Sequence, residues 1–370
     1  MTNTITNRQL FFMLLLTLTG GTVSIAKTMA ATVGTNAWLV LTATSLLIGL
    51  AAAMIVSLNA MHEGQMLFDY APSLVTRPGA YILILYYIAY FLFILSGLLY
   101  DLTRILHYDF FPKTPQWTFP LAGLPVFCYV AYKGITNLGR LAECVGIVFI
   151  SLGLLVHLLM AIEGRVSRIL PLIDPDRLSG FFSGFKSALF SFFGIEMLLV
   201  IPFVKKNKNS RKPAKAAFLS LLAIGAFYII VVETSIMKIG IDDIVNHYDA
   251  LVVAIRDTSP KGLEIISRLD IFYLTMGLSG LFVSMSIALM AAVEYLCRLF
   301  KNLSRLLITV CAGAFCYVLF LVFSGIPNFF EIYPEIGTYL GLFGGILAPC
   351  VLLLIARAKK RGGKAVPHGS

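Results

Sequence analysis

Apolar residues come in long blocks separated by short polar segments, and each block is close to the roughly 20 residues that a helix needs to cross a bilayer. Read in order, the blocks predict spans near 9–33, 37–61, 80–104, 118–133 and 141–162, then 184–204, 214–238, 266–297, 303–325 and 333–356. That is ten spans, five in each half. The fourth carries Pro120, Gly123 and Pro125, residues that would equally suit a surface loop. One polar segment has a different rhythm. Ile241, Ile244, Val245, Tyr248, Leu251, Val252 and Ile255 recur at helical spacing among Asp242, Asp243, Asn246, His247, Asp249 and Arg256, up to Thr258-Ser259-Pro260. This predicts an amphipathic helix across the outer face, either plainly interfacial or a lid over a vestibule.

Two of the spans are interrupted. The first has Gly20 and Gly21 midway and carries Lys27; the sixth, GFKSALFSFFGIEMLLVIPFV, holds Gly194 and the ionisable Glu196. A carboxyl at that depth is costly without a partner, and glycine beside it weakens the helix where backbone groups can turn toward a cavity. Interrupted helices at the starts of two halves point to an all-α integral membrane protein built as an inverted repeat, with its site at the breaks. The chain reads as a single transmembrane domain, with repeats at about 9–162 and 184–356 and a solvated, disordered cytoplasmic tail over 357–370.

At such a break the N-terminal end of a half-helix suits a carboxylate, while opposing carbonyls suit an ammonium group. A small zwitterion satisfies both, so an amino acid is the natural ligand. The candidate ligand-binding residues are Thr19, Gly20, Gly21 and Thr22 at the first break, Phe193, Gly194, Ile195 and Glu196 at the second, and Tyr90, which shares a helical face with Tyr86 and Phe93. Lys27, with Ser279 and Ser284 from the hydroxyl-rich eighth span, forms a candidate coupling or cation site. Each has a plainer reading: Gly20-Gly21 as helix packing, Glu196 as a protonated architectural group, Tyr90 as an interhelical hydrogen-bonding residue, and Lys27 as a side chain snorkelling outward.

Composition narrows the class. With 58% hydrophobic and 13% charged residues, the chain is no ordinary soluble domain, in which about a quarter of residues are charged. Its net charge of +10 resides in loops, not on a basic face with stacking aromatics, so no nucleic acid is expected. With both termini cytoplasmic, eighteen of the 29 Lys and Arg fall on the inner side, six of them in the 205–215 loop, which orients the spans. That loop is also suited to anionic lipid. The six cysteines lack metal or disulfide spacing, and no nucleotide loop, helix-borne metal pair or nucleophile motif occurs. No enzyme, cofactor or metal is therefore expected. Thr28-Met29-Ala30 loosely resembles a signal-peptide cleavage site, but Lys27 just before it and the sparse basic n-region argue against one.

The opening NRQLFFMLLLTLTGGT, Asn36-Ala37-Trp38-Leu39, GITNLGRLAEC, FFGIEMLLVIPFVKK and ISRLDIFYL, in that order, resemble the spore germination permease family, the B subunits of germinant receptors, within the amino acid/polyamine/organocation superfamily. The resemblance implies a LeuT-like 5+5 inverted repeat with its ligand at the breaks of the first and sixth helices. It also implies assembly with an A-type subunit and a C-type lipoprotein in the inner membrane of the spore, where nutrients trigger germination. A proton-coupled amino acid transporter, or a water or ion conduit along the same helices, is the alternative.

Overall fold

A computed structural model describes residues 5–203, 211–247, 249–258 and 269–362. Among these residues the chain is helical, with no strand. Most of the basic 205–215 loop, Tyr248, Ser259, Pro260 and the tail from residue 363 lie outside them.

The first span opens on a reciprocal cap. The Thr6 hydroxyl accepts the Gln9 N–H at 3.2 Å, and Gln9 Oε1 accepts the Thr6 N–H at 3.2 Å, which satisfies two amides at the start of α1 (Asn7–Thr17). Leu18 interrupts the helix, and α2 (Thr19–Thr32) continues it. The first half is completed by α3 (Ala37–Asn59), the amphipathic α4 (Leu67–Leu74), α5 (Arg77–Ile105), α6 (Thr118–Tyr132) and α7 (Ile135–Glu163). The second half runs through α8 (Phe181–Phe192), a 3-10 helix over Ile195–Val200, α9 (Arg211–Ile239), α10 (Ile241–Asn246), α11 (Ala250–Arg256), α12 (Leu269–Leu299) and α13 (Arg305–Ser324). It ends with α14 (Phe329–Gly341), a π turn over Leu342–Leu347 and α15 (Ala348–Gly362), in one continuous run.

Among the described residues, eight helical stretches are long and apolar enough to cross a membrane unaided. The broken α1–α2 pair and the short α6 account for the other two, consistent with ten crossings. The fourth span is a helix despite Pro125 inside it; no loop forms there.

Two expectations change in detail. The outer amphipathic segment is two short helices, because α10 ends at Asn246, α11 begins at Ala250, and Asp249 ahead of it meets Arg104. The first break is a single residue, Leu18, placed before the glycines: the Gly21 N–H reaches the Leu18 carbonyl at 3.1 Å, a tight turn that leaves Gly20 and Gly21 within the first turn of α2.

The packing follows the repeat. The broken helices α2 and α8 lie side by side, and α3 and α9, their successors in the two halves, share the most extensive helix contact. Ser45 against Gly225 leaves no room for a side chain there, the small-residue contact that lets membrane helices approach closely. Outward faces of α6, α7 and α13 present Val126, Tyr129, Leu155, Leu158, Val318 and Val322 to the surroundings. Polar ties cluster at the end expected to face inward, where Arg298 pairs with Asp69, Arg8 with Glu143, and Arg305 with Glu294 at 2.6 Å.

Candidate functional site

The second break is fixed by a backbone that side chains with a Cβ rarely adopt. Gly194 has φ +130°, and a Cβ there would stand 2.5 Å from Thr17 Cγ2 on the other broken helix. Past it the chain tightens into the fully buried 3-10 helix. The first break meets it closely: a Cβ on Gly21 would lie 2.6 Å from Ser191 Cβ and 2.7 Å from Ser191 Cα. Gly21 thus brings the amide end of α2 against the carbonyl end of α8, while Gly20 packs on Leu98 of α5.

The main-chain groups released at the breaks are held by side chains. Tyr228 Oη of α9 lies 2.5 Å from the Leu18 carbonyl and 2.8 Å from the Ser191 carbonyl, so one phenol ties both breaks together. Ser284 donates to the Thr17 carbonyl at 3.1 Å, and Asn59 donates to Leu198 O at 2.6 Å while accepting from Tyr70 at 2.6 Å. This is the accounting that buried backbone requires.

Between the breaks lies a cavity of about 40 Å³, lined by Thr17, Leu18, Gly20 and Gly21 from the first span, Phe190, Ser191, Phe193 and Gly194 from the sixth, Ile94, Leu98 and Asp101 from α5, and Tyr333 from α14. A second, of about 20 Å³, continues past Asp101 to Arg104 and Phe330. Such volumes are about a water's share of liquid, so the site is closed in this conformation. Phe190 and Tyr333 meet edge to face, centroids 5.2 Å apart, across it. Above it, Arg104 grips Asp249 with two bonds of 2.7 and 2.8 Å, the pair only 8% and 6% exposed, and its guanidinium lies 4.3 Å from the Phe330 ring centroid. The bidentate pair fastens α11 over the cavity.

The anticipated residues divide into three groups. Gly20, Gly21, Phe193 and Gly194 line the cavity. Thr19 and Thr22 line a separate pocket toward α12, with Phe149 and Tyr273, and spend their hydroxyls on Leu16 O and Thr19 O at 2.7 and 2.6 Å. Ile195, Glu196 and Tyr90 lie together on the inner side, where Gly194 N–H donates to Glu196 Oε2 at 2.7 Å and Gly345 of the π turn makes room for Oε1. Of the proposed coupling group, Ser284 reaches the first break, Ser279 bonds its own helix at Met276 O, and Lys27 is half-buried further along α2. Asp101, Phe190, Ser191, Tyr228, Tyr333 and the Arg104–Asp249 pair were not anticipated. Asp101 and Arg104, ionisable residues at the end of an apolar span, were the available signal; a lone tyrosine on α9 offered none.

Among solved structures, MhsT in complex with L-phenylalanine matches with a TM-score of 0.69 at 17% identity, covering 94% of this chain and 95% of that one. Mhp1, a nucleobase-cation-symport-1 family transporter in a closed conformation with bromovinylhydantoin bound, matches at 0.62 and 12%, covering 97% and 94%. The Eremococcus coleocola manganese transporter matches at 0.65 and 11%, covering 98% and 88%. These likenesses establish the LeuT-like fold, with broken first and sixth helices. At the sequence level, spore germination protein KB of Bacillus subtilis (strain 168) is 27% identical over 284 residues, 74% of either chain. The sequence profile described as "Spore germination protein" matches residues 4–326. This chain therefore belongs to the spore germination protein family and is an integral membrane protein with a transporter-type fold.

Proposed function

We propose that this chain is the B-type subunit of a spore germinant receptor and that it binds a small nutrient, an amino acid, in the cavity between the two breaks. The observation that carries this reading is the juxtaposition in one cavity of the α2 amide end, the Asp101 carboxyl and the aromatic pair Phe190 and Tyr333. The positive N-terminal end of α2 suits a carboxylate, Asp101 suits an ammonium group, and the rings suit an apolar side chain. A fold relative bound to L-phenylalanine and a relative named for germination support the same reading.

The nutrient acts by favouring one arrangement of the halves, which requires unequal affinity for the two. Rotation of Phe190 and Tyr333 and release of the Arg104–Asp249 pair open the site; closure over the nutrient restores them. An A-type subunit and a C-type lipoprotein read that shift in the inner membrane of the spore, with both termini of this chain cytoplasmic.

Asp101→Asn removes the charge while keeping the shape. A hydrogen bond to a charged group contributes roughly 1.5–3 kcal/mol, so the nutrient concentration for half-maximal germination is expected to rise about ten- to a hundredfold. An unchanged dose–response would refute this site. Robust uptake of radiolabelled amino acids into vesicles holding this chain alone would instead identify a secondary transporter.

A further inference from the structure

The carboxyl of Glu196 has no part in the cavity just described, although it is wholly buried. Its Oε2 accepts the Gly194 N–H at 2.7 Å; its Oε1 has no hydrogen-bond partner. Tyr90 faces it from α5, and the Tyr90 hydroxyl is likewise buried and without a partner. The space for Oε1 exists because residue 345 is glycine: a Cβ there would lie 2.7 Å from that oxygen. Gly345 sits in the π turn that interrupts the last span, a local geometry often found at functional positions.

We propose that Glu196 and Tyr90 form a proton-binding site on the inner side of the second break, coupled to the nutrient cavity through the Gly194 amide.

The surroundings select a proton over other cations. A hard metal ion gathers about six oxygens, yet the neighbouring carbonyls are already engaged: Gly344 O by Tyr87 at 2.8 Å, Leu340 O by Tyr86 at 2.5 Å and Leu198 O by Asn59 at 2.6 Å. Of the described side-chain oxygens there, Glu196 Oε1 and Tyr90 Oη lack a partner, fewer than a metal gathers. Among the described residues no lysine or arginine acts on the carboxyl. The titratable groups around it are tyrosines: Tyr86, Tyr87 and Tyr90 from α5, with Tyr70 of α4 and Tyr295 of α12 behind them. From α3 comes the neutral Asn59, and from α1 Thr17, whose hydroxyl lies 3.3 Å from Met197 Sδ. A charge there is poorly compensated, and taking up one proton removes it.

The pair serves both protonation states with one hydrogen bond. When protonated, Glu196 Oε1–H donates to Tyr90 Oη; when ionised, Tyr90 Oη–H donates to Oε1, the proton having passed to a water molecule admitted from the inner side as the halves part. Ionisation also strengthens the Gly194 N–H bond to Oε2, because charged acceptors bind more tightly. Gly194 lines the nutrient cavity, so proton occupancy and the shape of the break are linked, and the linkage is reciprocal. That coupling rests on the proposed nutrient site; the proton site itself does not.

The test uses the full-length protein in lipid nanodiscs. Infrared difference spectra between acid and alkaline pH are expected to contain the C=O stretch of a buried protonated carboxylic acid, lost in Glu196→Gln and shifted in Tyr90→Phe. A band unchanged in Glu196→Gln overturns the proposal, and should that variant fail to fold, an unshifted band in Tyr90→Phe does so. Thermal stabilisation by an equimolar mixture of the standard amino acids is read in parallel. Wild type is expected to show at least a tenfold change in half-saturating concentration across the pH range, and Glu196→Gln to bind with no pH dependence. Binding abolished in Glu196→Gln at every pH would make the carboxyl a nutrient ligand and overturn the inference. A titrating carboxyl band without stabilisation in either protein would uphold the proton site and refute the nutrient reading.

Discussion

Gly194 and Glu196 illustrate how far a single residue reaches in this protein. Gly194 supplies a φ of +130° that L side chains rarely adopt, and it passes close to Thr17 of the other broken helix. Backbone strain of this type costs about 1–3 kcal/mol, before any displacement of Thr17. Gly194→Ala is therefore expected to lower the melting temperature of the purified protein and to abolish the nutrient response, while Gly64→Ala, at φ +72° with nothing within 4 Å, carries the conformational cost alone. Equal responses of spores carrying either variant would remove Gly194 from the site. Two residues on, the Glu196 side chain folds back onto the Gly194 amide, so the glycine and the carboxyl, two positions apart, serve opposite sides of the break. At the same scale the Tyr228 hydroxyl lies within reach of the Leu18 and Ser191 carbonyls at once and so links the two breaks.

Among the elements, α10 and α11 matter most for access. They pack on α2, with Ile244, Leu251, Val252 and Ile255 all buried, and are pinned by Arg104 and Asp249. Removing one partner of a buried ion pair leaves the other charge uncompensated, at a cost of about 3–5 kcal/mol. Arg104→Ala and Asp249→Ala are each expected to destabilise by about that amount, with the double variant well short of their sum. Additive losses in a double-mutant cycle of unfolding free energy would mean that the pair does not hold the outer segment. The 3-10 helix over Ile195–Val200 is the inner counterpart: wholly buried, and tied to α3 and α4 through Asn59 and Tyr70. The site thus lies between a fastened outer segment and a fastened inner one, which agrees with its small volume.

For the whole molecule, loop charge predicts the orientation. Lys and Arg crowd the segments placed inside, and the ion pairs Arg8–Glu143, Arg298–Asp69 and Arg305–Glu294 gather at that end. A fluorescent protein fused after residue 370 is expected to fluoresce, and alkaline phosphatase fused after Asp257 to be active. The reverse pair of results would invert the topology and place the Arg104–Asp249 closure on the inner face.

The chain alone determined the membrane class, the ten apolar blocks, the two interrupted spans and the family resemblance, because span length, glycine placement and loop charge are local properties that water and lipid read one segment at a time. Gly20, Gly21, Phe193 and Gly194 were legible as residues of the breaks for that reason, and they line the cavity there. The packed structure decided the rest: that the first break falls at Leu18, that Asp101, Phe190 and Tyr333 complete the cavity, that Arg104 closes it with Asp249, and that Glu196 faces Tyr90 and Gly345 behind it. Each of these depends on the rotation of one helix about its axis relative to another. In spans that are apolar nearly all round, periodicity leaves that rotation open, and it is settled by close packing and by the need of every buried carbonyl for a donor.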